Sequence, residues 1–154
     1  NIVLNKSSIN LRLMLEQIID EFYPLSKSQD KDIVINCPTS LCLVADPDKL
    51  SRVFNNVLKN AIAYSFPNSK INIDVKEKLH DVSIEISNSG TTIPKDKLNY
   101  IFEKFYRLDE SRGSNSGGAG LGLAIAKEIV EAHGGKIFAS SQNNVTTFTI
   151  NLKK

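Results

Sequence analysis

Two asparagines, Asn56 and Asn60, stand four positions apart in "FNNVLKNAIAYS", a stretch whose apolar residues recur at helical spacing. Side chains four apart project from the same side of a helix, so both amides would flank the apolar stripe, with Tyr64 one further turn on. An amide oxygen can hold Mg²⁺ without adding a negative charge that would repel phosphates. Asparagine is also common on a solvated helix edge, and the pair alone does not separate these roles. Further along, "NSGTTIP" (88–94) ends a strand in a glycine turn, and "IFEKFYRLD" (101–109) places Arg107, a candidate phosphate clamp, beside a Ser/Gly/Asn-rich stretch.

The densest feature is "GGAGLGLAI" (117–125), where glycines give way abruptly to an apolar helical pattern. It is not a P-loop, because no Lys-Ser/Thr follows a G-x-x-x-x-G, and the dinucleotide spacing G-x-G-x-x-G fails at Leu123. Two readings remain. The run could feed a helix start, where free amides and the positive end of the dipole suit an anion. It could instead be a flexible hinge whose glycines permit close helix packing.

The elements that must carry these residues follow from periodicity and punctuation. Leu11, Leu15, Ile18, Ile19 and Phe22 predict an amphipathic helix over 9–28 with Ser8 as its N-cap. "DIVIN" and "LCLVA" read as short strands around "CPTS". Asp46-Pro47 opens a second helix running to about Ser65. "KINIDVKEKL" and "DVSIEISN" alternate as a hairpin, followed by a short helix from Pro94 to Phe102. The region 103–119 lacks sustained periodicity and is a mobile-loop candidate. Leu121–His133 forms a third long helix stopped by Gly134-Gly135, and "KIFAS" and "VTTFTINL" close the chain. Helices alternating with hairpins imply a mixed sheet covered on one face.

Composition excludes several classes. The chain has 154 residues, 41% hydrophobic and 23% charged, which fits one globular domain. With 19 basic against 17 acidic residues the net charge is only +2, and no basic block supports nucleic-acid binding. No apolar stretch approaches the roughly 18 residues of a membrane span, so direct membrane contact by this stretch is not expected. Asn1 comes first and Met14 is the only methionine, so a piece of a longer chain is expected. Cys37 and Cys42 read as reduced core residues, and no Cys/His/carboxylate cluster has zinc spacing.

In their order these segments resemble a family. "NNVLKNAIAYS" is similar to the asparagine box of sensor histidine kinase catalytic domains, a branch of the superfamily that includes gyrase-type and Hsp90-type ATPases. "SNSGTTIP" resembles the first glycine box, "IFEKFYRLDESR" the phenylalanine box, and "GGAGLGLAIAKEIVEAHGG" the second glycine box with its helix. The wording of the last two is particularly similar to the vancomycin-resistance (VanS-type) sensor kinases. The resemblance implies an α/β (α+β) two-layer sandwich, the Bergerat fold. A mixed, mostly antiparallel sheet of about five strands would be covered on one face by three helices, with a mobile ATP lid.

It also implies site roles. Asn60 would coordinate Mg²⁺ and Asn56 would support the metal or the phosphates of ATP, while Tyr64 would lie against base or ribose. Asn88 occupies the place of an aspartate that accepts from the adenine amino group, with Gly90, Ile93 and Thr146 lining the same pocket. Arg107 would contact the γ-phosphate, and amides around Gly118, Gly120, Leu121 and Gly122 would bind the phosphates. Asn88, Ala63, Thr92 and Val145 depart from the family pattern, which implies altered affinity more than lost activity. In the superfamily's ATPases a glutamate at the position of Asn56 activates water; an amide is no base, so phosphoryl transfer is expected and not rapid hydrolysis.

Neither His80 nor His133 lies in the family's phosphoacceptor context. The acceptor histidine would belong to a dimerisation domain, homodimeric in the intact kinase. The domain would sit on the cytoplasmic side of a membrane sensor and serve a response regulator. The alternative is a nucleotide-binding interaction module, a pseudokinase.

Overall fold

The computed structural model describes residues 2–106 and 121–154. In chain order the elements are β1 (Ser7–Asn10), α1 (Leu11–Ser28), β2 (Asp32–Asn36), β3 (Cys42–Ala45), α2 (Pro47–Tyr64), β4 (Lys70–Glu77), β5 (Asp81–Ser89), α3 (Lys95–Leu98), α4 (Gly122–Ala132), β6 (Lys136–Gln142) and β7 (Val145–Lys153). Strands β2-β4-β5-β7-β6 form one five-stranded sheet, and β1 pairs with β3 in a second, two-stranded one. Within the larger sheet only β2 and β4 run parallel. The expected mixed, mostly antiparallel sheet is therefore present, with three long helices and the one-turn α3 among the described residues.

Alternation decides which face the helices cover. On β4 and β5, Ile71, Ile73, Val82, Ile84 and Ile86 point inward, as do Phe148 and Ile150 of β7, and all are buried. Leu11 and Leu15 of α1, Phe54 and Leu58 of α2, and Ala126 and Val130 of α4 join them in one core. The opposite face carries Ser83, Glu85, Ser87, Thr147, Thr149 and Asn151. There Ser87 Oγ and Thr147 Oγ1, register partners, lie 3.0 Å apart. A sheet with one apolar and one hydroxyl-rich face can be stable with helices on one side only.

Several expectations change at the chain's beginning. Ser7–Asn10 pairs antiparallel with Cys42–Ala45, a strand that periodicity did not reveal. Ser8 is thereby drawn into a ladder, and the N-cap of α1 moves to Asn10, whose Oδ1 accepts from the Leu13 amide at 2.9 Å. "DIVIN" and "LCLVA" are both strands but belong to different sheets. Cys37 and Cys42 are free; Cys37 lies in the core, whereas Cys42 is exposed on β3, contrary to the reading of both as core residues. The short helix expected over 94–102 is reduced to Lys95–Leu98.

Helix α2 is anchored at both ends. Asp46 Oδ1 accepts from the Lys49 amide at 3.1 Å as the N-cap, and Oδ2 accepts from the Asn5 amide at 2.9 Å. The Asp46 amide donates to His133 Nε2 at 3.1 Å, which leaves Nδ1–H to donate to the Ile129 carbonyl at 2.8 Å. At the other end, the Lys31 ammonium and the Ser65 hydroxyl both donate to the Ile62 carbonyl, at 2.7 and 3.0 Å. Those bonds close the last turn of α2, where carbonyls lack intrahelical partners.

The Asp46 cap has a pH signature. The Asn5 amide, then the Lys49 amide, hold the Asp46 carboxyl below its ordinary value. A carboxylate whose folded-state pKa is depressed contributes stability above its unfolded-state pKa and loses it as pH falls through the folded-state value. Thermal unfolding of the wild type should therefore lose stability on acidification more steeply than Asp46→Asn, and the two curves should converge at the acid end. Parallel curves throughout would contradict the assignment.

Candidate functional site

The line Asn56, Asn60, Tyr64 runs along one side of α2, and all three are half-buried between core and surface. At its start, Asn56 Nδ2 donates to the Gly122 carbonyl at 3.0 Å, where α4 begins. A Cβ on Gly122 would stand 3.6 Å from Asn56 Cγ, so α2 and α4 meet closely here. With its NH₂ committed, the Asn56 amide is fixed in orientation and retains Oδ1 as an acceptor. α4 opens with Leu121 at the cap position, which has no side-chain acceptor, and with no acidic residue in its first turn. Among the described residues no side chain caps this positive helix end, a setting that favours an anion.

At the other end of the line, the chain leaving α2 meets the loop that follows β5. The Phe66 amide donates to the Ser89 carbonyl at 2.8 Å. Gly90 lies so near the Tyr64 carbonyl that any Cβ would overlap its oxygen, which is why glycine is required there. Asn88 and Thr146 are register partners on β5 and β7, each only 4% exposed. Thr146 Oγ1 lies 2.8 Å from Ser141 Oγ. Ser141 Oγ in turn accepts from the Ile93 amide at 2.8 Å.

The fold thus brings Asn56 to Leu121 and Gly122, and separately brings Asn88 and Thr146 beside Gly90, Ile93 and the end of α2 at Tyr64. Asn60 lies between the two groups. Eight residues of helix from Asn56 to Tyr64 rise about 12 Å, which sets the separation of the two ends. Arg107, Gly118 and Gly120, and most of the expected lid, lie outside the described residues. No group of three or more His, Cys, Asp or Glu side chains that could cage a metal is found among the described residues. Amide oxygens completed by phosphate and water are the donor set that Mg²⁺ accepts, and Asn56 and Asn60 fit it.

The departures at Thr92, Val145 and Ala63 fall in three different places. Thr92 is held by Asn144, its hydroxyl 3.2 Å from Asn144 Oδ1, and Val145 is 43% exposed at the start of β7. Ala63 is exposed on α2. His133 is bonded at both ring nitrogens to backbone, a structural position. Sequence reasoning missed Ser141 and Asn144, which support the loop after β5. The available signal was "QNNV" between two alternating strands, a two-residue hairpin turn.

Comparison with known proteins agrees with this geometry. A family model described as "Histidine kinase-, DNA gyrase B-, and HSP90-like ATPase" matches residues 45–154, which include α2, the β5 loop and α4. The sensor protein VanS of Enterococcus faecium is 57% identical over 151 residues, covering 98% of this chain and 39% of that protein. The nucleotide-free catalytic domain of the histidine kinase ThkA superposes with a TM-score of 0.88 at 27% identity, covering 98% of this chain and 97% of that one. ThkA in complex with the response regulator protein TrrA gives a TM-score of 0.84 at 27% identity, covering 99% of this chain and 42% of that chain. The chain therefore spans well under half the length of the curated relative.

Proposed function

Because the chain belongs to the family of histidine kinase-, DNA gyrase B- and HSP90-like ATPases, with sensor histidine kinases as its relatives, we propose that it binds Mg-ATP and transfers the γ-phosphoryl group to a histidine of a separate dimerisation domain. The observation that carries this reading is the line of Asn56, Asn60 and Tyr64 between two unlike ends. The end at Gly122 offers helix amides to phosphates, and the end at Asn88 and Thr146 offers a buried polar pair to a base. Mg²⁺, held by the amide oxygens of Asn60 and Asn56, would neutralise phosphate charge.

The protein's share is positioning and electrostatics. Asn56 anchors the start of α4, Tyr64 lies toward base or ribose, and Gly90 and Ile93 line the base end with Asn88 and Thr146. Arg107 contacts the γ-phosphate, and the amides of Gly118, Gly120, Leu121 and Gly122 bind the phosphate chain. The acceptor ring nitrogen attacks the γ-phosphorus as the bond to the bridging oxygen breaks, leaving ADP. No base stands at Asn56 to activate water, which favours transfer over hydrolysis. The likeness to VanS supports a role in vancomycin-resistance signalling, with the domain on the cytoplasmic side of a membrane sensor. The ThkA–TrrA complex supports a response regulator as the next acceptor.

The test mixes this chain with the separate histidine-bearing dimerisation domain of its own kinase and γ-labelled Mg-ATP. Acid-labile, alkali-stable label on that domain is expected. Binding of nucleotide with no transfer would favour the interaction-module reading, and absence of binding would overturn the proposal.

A further inference from the structure

The loop after β5 builds one wall of the proposed base end, yet it is too short and irregular to hold its own shape. Its polar groups are satisfied by the β6–β7 turn. The Gly90 amide donates to the Asn144 carbonyl at 2.9 Å. The Thr92 amide and hydroxyl both reach Asn144 Oδ1, at 3.3 and 3.2 Å, and the Asn144 amide donates back to Thr92 Oγ1 at 2.8 Å. Thr92 and Asn144 therefore clasp each other reciprocally across 52 residues of sequence. Asn143 and Asn144 have φ of 52° and 60°, the left-handed pair that a two-residue turn between register partners Gln142 and Val145 demands. The turn is thus rigid, and it stands beside Ser89 because Ser89 and Val145 are paired.

We propose that Asn144 is a positioning residue for nucleotide binding: through Thr92 and Gly90 it fixes the wall formed by Gly90–Ile93 against Asn88 and Thr146. The inference rests on the proposed nucleotide site. It gives Thr92, a side chain where the family resemblance implies glycine, a purpose: the hydroxyl supplies the second half of the clasp. Asn144 touches no substrate and acts by removing freedom that binding would otherwise have to remove.

Asn144→Gly is the decisive variant, because glycine keeps the left-handed turn and both backbone bonds while deleting Oδ1. Dissociation constants for Mg-ATP and Mg-ADP, measured by calorimetry, should both rise about fivefold, because the two bonds to Oδ1 that order the loop before binding are lost. Asn144→Asp, which keeps an acceptor oxygen, should restore most of that loss. Amide exchange in unliganded Asn144→Gly should quicken over 88–94 and stay unchanged in α2. Wild-type-like affinity in Asn144→Gly would overturn the inference while leaving the nucleotide site standing, as would a loss that Asn144→Asp fails to restore. A wild type that binds neither nucleotide would overturn the site and the inference together.

Discussion

Phosphoryl transfer by the Asn60→Asp chain is expected to fall about 100-fold, the scale on which groups that hold or orient a metal act. The substitution is nearly isosteric and the site is half-buried on α2, so the fold should survive. What changes is charge: a carboxylate placed among phosphates repels them, and this cost is large where water is partly excluded. The measurement is the initial rate of label appearing on the histidine domain, paired with a thermal melt. A melting temperature within about 2 °C of wild type is expected for such a surface-edge change. An unchanged rate would sink the assignment of Asn60 to the metal.

Gly90→Ala is expected to cost about 3 kcal/mol of folding stability, the upper end of ordinary overpacking. The added Cβ would overlap the backbone carbonyl oxygen of Tyr64, which cannot rotate away as a side chain could. Nor can the loop retreat freely, since the Gly90 amide is tied to the Asn144 carbonyl. For a chain of this length that loss corresponds to a melting temperature lowered by about 9 °C. Urea unfolding would give the same quantity independently. Gly134→Ala is the control: its φ of +76° makes alanine strained, but no atom lies within 4 Å of the added Cβ. It should cost only about 1 kcal/mol, and equal losses in both variants would refute the steric account.

Much of the fold was legible because periodicity reports directly on which side of an element a residue faces. Leu50, Val53, Phe54, Val57 and Leu58 are all fully buried on α2, as their spacing required. The helix stop at Gly134-Gly135 is equally local. The Gly134 and Gly135 amides donate to the carbonyls of Glu131 and Val130, the paired bonds of a left-handed helix end. The strand β1 was not legible, since "SSIN" has neither alternation nor enough apolar residues, and it exists because β3 offers an edge.

By itself, then, the sequence determined the three long helices and the strands of the larger sheet, their apolar faces and the spacing of Asn56, Asn60 and Tyr64 along one helix. Only the tertiary structure decided that β2 pairs with β4 and not with β3, that His133 binds the amide of Asp46 from 87 residues away, and that Asn144 clasps Thr92. The division has a physical cause. A helical or strand pattern is set by interactions among residues a few positions apart, which a linear reading samples. A loop's shape is set by whichever distant donors and acceptors the topology brings beside it, and for Gly90–Ile93 those lie on a turn that the chain reaches last.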